Sequence, residues 1–434
     1  MTRRRLATAG TVAAIAATVL LFGGVFREGG AAQPTPLAAS QLVGDFAVRD
    51  TASVVLSLEQ QVRVRPGDPR GLTSLGLAYQ QRFRETADAS YLSRSEEALR
   101  RALRRASRDP IATGGLASLA LSRHRFLDAL VLARRARVLA PDSVRPYAAL
   151  GDALIELGRY PLAFKTFDTM ARLKPSLAAY SRISYARELL GDVAGAEAAM
   201  RLALDAAIGR PEALAWTHLQ LGKVAWSVGR IGPAAQEYRA ALAAFPGYVY
   251  AYDALAQVEW ARGDLRRAIA LESRAADAVP LPQFIATLGD LQRAAGNERE
   301  ARRQYALIGA IRRLLVANGV RTDLETALFD IDHAIRLSHA LVQARAAYRD
   351  RPSIEGDDVL AWALARNGRC VEALRYSKRA LRLETLDAPK FFHRGMIERC
   401  LGHGAKARSW FRRALALNPH FSVLWAPAAR RYAS

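Results

Sequence analysis

Apolar and small residues return in one register along four segments of the chain. Tyr147, Leu150, Gly151, Leu154, Gly158, Ala163, Phe167, Met170 and Pro175 recur as His218, Leu221, Gly222, Ala225, Gly229, Ala234, Tyr238, Ala241 and Pro246. The frame returns as Tyr252, Leu255, Ala256, Glu259, Gly263, Ala268, Glu272, Ala275 and Pro280, and again as Phe391, Arg394, Gly395, Glu398, Gly402, Ala407, Phe411, Ala414 and Pro419. A period of about 34 residues predicts a helix, a tight turn and a second helix, neither of which can bury its apolar stripe without a neighbouring unit. The pattern predicts an all-α stacked solenoid.

Each recurring residue has a mechanical reason. Gly158, Gly229, Gly263 and Gly402 fall where the first helix must stop, because glycine takes the left-handed conformation that closes a helix end without steric cost. Ala163, Ala234, Ala268 and Ala407 allow the second helix to lie close to the first. Pro141, Pro175, Pro246, Pro280, Pro352 and Pro419 end the second helices, since proline lacks the amide donor and clashes with the preceding turn.

This arrangement resembles the tetratricopeptide repeat superfamily from about residue 69 to the C-terminus. The resemblance implies a right-handed superhelical solenoid of helix-turn-helix units. Ten helix pairs are expected, with first helices opening near residues 69, 110, 144, 177, 215, 249, 282, 321, 354 and 388. An insertion around residues 83–90 and a stretched period over 305–323 disturb the frame. A last helix near 421–432 is expected to cover the final apolar face, leaving Arg430 and Arg431 in water.

Composition agrees: 51% of residues are hydrophobic, and no sustained alternation marks a strand. A length of 434 residues would ordinarily suggest several domains, but a solenoid sums its stability over neighbouring interfaces and needs only one. The expected organisation is an N-terminal membrane segment (1–28), a flexible linker (29–49) and the solenoid (50–434). Arg3, Arg4 and Arg5 precede an uncharged run from Leu6 to Phe26, long enough to cross a bilayer as one helix. The same run also reads as a cleaved secretory signal, with a poor cleavage site at Gly30–Ala32. Either way the arginines stay in the cytoplasm, which puts the repeats outside it, membrane-anchored in the first case and secreted in the second.

The net charge of +22 comes from arginines that outnumber lysines by roughly nine to one. They recur on second helices, as in Arg100, Arg101, Arg104, Arg105 and Arg108 or Arg134, Arg135 and Arg137, where a solvated convex face accounts for them. Attraction to anionic lipid or an acidic envelope glycan is the alternative, and no nucleic-acid partner is expected outside the cytoplasm. Cys370 opens one second helix and Cys400 closes the next first helix, so a disulfide is feasible in an oxidising compartment and would stabilise by about 3 to 4 kcal/mol. Two buried free thiols are the competing reading.

No HExxH, GxSxG, phosphate-loop or dinucleotide motif occurs, so no catalytic residue, metal, cofactor or small-molecule substrate is expected. Glu355, Asp357 and Asp358 form one tight acidic group, which the positive end of a helix dipole explains. The resemblance implies that first helices line a concave groove. Carried onto units five and six, its groove positions fall on Trp216, Leu219, Lys223, Trp226 and Ser227, then Tyr250, Asp253, Gln257, Trp260 and Ala261. Tyr185 and Glu188 join from the preceding unit, and Asp358 and Trp362 from a later one. Such an aromatic groove suits a polypeptide partner; the alternative is that these rings pack between helices.

Overall fold

The computed structural model describes residues 51–86 and 88–434, and no strand occurs among them. The expected anchor and linker lie outside the described residues, and no described helix is long and apolar enough to cross a membrane.

Helix α1 (Thr51–Val64) precedes ten helix pairs. Unit one pairs α2 (Pro69–Thr86) with α3 (Ser90–Arg105), unit two α4 (Pro110–Ser122) with α5 (Phe126–Leu139), and unit three α6 (Val144–Glu156) with α7 (Tyr160–Leu173). Unit four holds α8 (Leu177–Leu189) and α9 (Val193–Asp205), unit five α10 (Pro211–Ser227) and α11 (Ile231–Ala244), and unit six α12 (Val249–Ala261) and α13 (Leu265–Ala278). Unit seven follows as α14 (Pro282–Ala294) and α15 (Glu298–Ala317), unit eight as α16 (Asp323–Asp332) and α17 (Leu337–Asp350). Unit nine comprises α18 (Ile354–Arg366) and α19 (Cys370–Ala380), unit ten α20 (Ala388–Cys400) and α21 (Gly404–Leu417), and α22 (Ala426–Ala433) closes the array.

Local chemistry sets these boundaries. Asp109, Ser176, Ser353 and Asp387 accept hydrogen bonds from first-turn amides, which have no partner inside their own helix. Unit five opens at Pro211 instead of 215, because proline has φ preset for a first helical position. The stretched period is a long second helix, α15, of 20 residues. The closing helix is shorter than expected and starts only at Ala426, with Pro427 in its first turn and Arg430 and Arg431 exposed. The expectations missed α1, whose Val54, Val55, Leu58 and Val62 pack with Leu72, Leu75 and Leu99.

Within units, a ring on the second helix sits against a glycine on the first. Phe167 faces Gly151, Tyr238 faces Gly222, Tyr305 faces Gly289 and Phe411 faces Gly395, so closely that an added Cβ would collide with each ring. Gly222→Ala is therefore expected to cost about 1 to 3 kcal/mol by overpacking. Gly232→Ala, where nothing lies within 4 Å, should leave chemical denaturation almost unchanged. Equal midpoints for the two variants would contradict the interlock.

The solenoid winds back on itself. The Tyr160 hydroxyl accepts from the Ile354 amide at 2.7 Å, across 194 residues of chain, and the Thr385 hydroxyl donates to the Leu189 carbonyl at 2.6 Å, across 196. Asn418 Nδ2 donates to the Trp226 carbonyl at 2.8 Å, across 192. The Arg321 amide reaches the Arg123 carbonyl at 3.2 Å, and the Trp260 and His420 rings lie 5.8 Å apart. Turns within units two to six thus meet loops of units eight to ten, forming a seam between successive superhelical windings. Gly158 and Gly229 serve twice here. Their φ values of 68° and 72° close the first helices, and a side chain at either would strike the backbone of Pro352 or Leu417 across the seam.

Charge is buried in the seam. Arg351, 4% exposed, hydrogen-bonds Glu156 through Nε and Glu325 through Nη1, the latter at 2.7 Å, and its guanidinium lies 5.4 Å from the Phe126 ring centre. His124 takes the position of Gly158 in unit two with φ of 55°, and its Nδ1 lies 3.7 Å from Glu325. Cys370 and Cys400 are joined by a disulfide that ties α19 to α20, with Cα atoms 6.0 Å apart.

Candidate functional site

First helices of successive units pack on one another, and the repeat fixes which of their side chains share a face. Ser184, Gly222, Ala256 and Gly289 occupy the same position in units four to seven. The residues that follow them, Tyr185, Lys223, Gln257 and Asp290, form one column, all half-buried. One helical turn further on stand Glu188, Trp226 and Trp260, also half-buried.

Of the residues expected on the groove, ten are half-buried: Tyr185, Glu188, Lys223, Trp226, Ser227, Tyr250, Asp253, Gln257, Trp260 and Ala261. Trp216 and Leu219, at 4% and 2% exposure, instead lie inside the apolar core that units four to six share. They sit earlier on α10, on the stripe that faces neighbouring helices. Tyr250 packs edge-on to Tyr248 and Phe284, with ring centres 5.3 and 5.7 Å away. Trp362 is also interior. Its Nε1 donates to Asp332 at 2.8 Å, as Trp425 Nε1 does at 2.9 Å, and its ring stacks on His393 at 4.7 Å.

The acidic group at the start of α18 is divided among separate partners. Glu355 pairs with Lys390 at 2.8 Å, Asp357 with Arg382 at 2.6 Å, and Asp358 with His393 at 2.9 Å. Ser353 caps the helix through the Gly356 amide, so this cluster is explained by structure. His218 meets Glu237 at 2.7 Å.

Units four to six differ. Lys223 lies between Glu188 and Asp253, and burial lowers its pKa against the pull of both carboxylates. Burial pushes Glu188 up to about 7 and Asp253 up to about 6, with Lys223 opposing each shift. Neither Lys223 nor Glu188 closes a hydrogen bond or ion pair among the described residues. Asp253 receives only a long hydrogen bond from Gln257 Nε2 at 3.3 Å and the neighbouring carboxyl of Glu272. Glu272 was not foreseen as a site residue, although its register carries the signal: it stands where Phe167, Tyr238 and Phe411 stand in other units. It is 0% exposed, and no protein donor reaches either carboxyl oxygen. Burial and the adjacent Asp253 hold its pKa well above the usual carboxylate range.

Residues 219–281, spanning most of units five and six, match the tetratricopeptide repeat family. Among solved structures, MamA protein is similar over 39% of this chain and 91% of its own, at 19% identity and a TM-score of 0.30. The human IFIT1 dimer with m7Gppp-AAAA is similar over 87% of this chain and 88% of its own, at 14% identity and a TM-score of 0.48. YrrB, described as a TPR protein with an unusual peptide-binding site, is similar over 42% of this chain and 93% of its own, at 18% identity and a TM-score of 0.29. No curated protein matches the chain. With ten helix pairs in the repeat's register, glycine-stopped turns and a family match over residues 219–281 inside the array, the chain resembles the tetratricopeptide repeat superfamily.

Proposed function

We propose that this protein is a non-enzymatic scaffold, tethered to a membrane by its N-terminal apolar segment, that holds a partner polypeptide against its concave wall outside the cytoplasm. One observation carries the binding reading: beside the half-buried rings of Trp226 and Trp260, the half-buried Glu188 and Lys223 on successive first helices close no hydrogen bond or ion pair among the described residues. Such groups are desolvated without being paired, and an incoming main chain with its side chains would supply the missing partners. The run from Leu6 to Phe26 behind three arginines supports the tether and the orientation.

A competing reading assigns binding to the convex face, where Arg104, Arg105, Arg134, Arg135 and Arg137 are exposed on α3 and α5 and would attract an acidic glycan or anionic lipid. Crosslinking in intact cells with Trp226→Ala/Trp260→Ala distinguishes the two. The captured proteins should fall by about tenfold in that variant, as expected when aromatic anchors are lost. Unchanged capture, with attachment that disappears as salt is raised, would give the convex face the role.

A further inference from the structure

Three carboxyl groups and one ammonium converge at units four to six, and the set is one cation short. Glu188 comes from α8, Lys223 from α10, Asp253 from α12 and Glu272 from α13. Elsewhere in the interior the buried acids are matched: Asp152 takes both arms of Arg182 at 2.8 and 2.6 Å, and Asp357 and Asp358 have the partners described above. Here no protein donor reaches Glu272, and Lys223 stands between two carboxylates without contacting either. Glu272 also breaks the repeat's own packing rule. The equivalent position carries a ring in units three, five, seven and ten, so a purely structural role would be met better by another aromatic residue.

We propose that this part of the groove receives a lysine or arginine side chain of the partner polypeptide, seated against the Asp253–Glu272 carboxyl pair with Glu188 as its outer contact. The assignment rests on the groove reading above and specifies its partner. A guanidinium or ammonium supplies the donors that Glu272 lacks, and burial strengthens such charge-assisted hydrogen bonds. Lys223, already placed between the acids, donates to a carbonyl of the bound main chain. General electrostatics does not produce this preference, because a chain of net charge +22 repels basic peptides everywhere else.

Panning a displayed library of random short peptides against the full-length protein tests the assignment. Selected peptides should share a lysine or arginine at one position, and Asp253→Asn/Glu272→Gln should weaken their binding by about tenfold or more. Both changes keep shape, and a melting curve for the double variant confirms its fold. Selection of acidic or charge-neutral peptides, no selection at all, or undiminished binding to the double variant would overturn the proposal. The groove reading fails separately, when Trp226→Ala/Trp260→Ala leaves the selected peptides bound as before.

Discussion

Replacing Arg351 by alanine should destabilise the protein by about 3 to 5 kcal/mol, because it leaves Glu156 buried beside Glu325 with no cation. Even beside Arg351, burial pushes Glu156 up to about 7, so the carboxyl hovers between charged and neutral at physiological pH. Without the arginine its pKa must climb further. A folded-state value above the unfolded one means that stability is greatest at low pH and is lost as pH rises through the folded value. The penalty of Arg351→Ala should therefore be larger at pH 8 than at pH 6. Urea unfolding of the variant at the two pH values reads this directly. Arg351→Met/Glu156→Met supplies the control: removing both charges together should recover most of the loss. If the double variant is as unstable as the single one, the seam is held by shape and not by this ion pair.

The second large effect has the opposite sign. Glu272→Phe with Ala256→Gly installs in unit six the ring-on-glycine contact seen between Phe167 and Gly151, and should raise stability at pH 8 by about 2 kcal/mol. The native carboxyl binds its proton more tightly when folded than when unfolded, so its contribution falls as pH rises above the ordinary carboxylate range, and Asp253 shifts the same way. The gain over the native protein should shrink as pH is lowered towards 5. Thermal melting across that range measures it. A gain independent of pH would show that the carboxyl is already ionised and satisfied in the fold. Loss of peptide binding in the stabilised variant would link this gain to a cost in function.

Much of the fold is legible in the sequence because it is made by short-range rules. A glycine 34 residues from the next, an alanine five further on and a proline beyond declare where helices stop and pair, and nine of ten first helices open within about two residues of expectation. The exception, α10, shows the limit. The register marks packing positions, whereas the actual start is set by Pro211, outside the recurring frame. The same limit applies on the wall. Trp226 and Trp260 share a column and come out half-buried, while Trp216, nearly three turns before Trp226, faces the core. A helix turns 100° per residue, so the ten residues between Trp216 and Trp226 point the two rings about 80° apart, one onto the wall and the other onto a packing face. The seam was not legible at all. Partners such as Arg351 and Glu156 are brought together by superhelical curvature, which sums small rotations over some six units and leaves no local trace in the chain.

That stitching changes how the array behaves under load. In an open stack each unit leans only on its neighbours, so the ends fray and the middle persists. Here units two to six rest on units eight to ten, and losing the last three would uncover five others at once. The protein is therefore a cooperative body that yields all together, closer to a welded coil than to a string of beads.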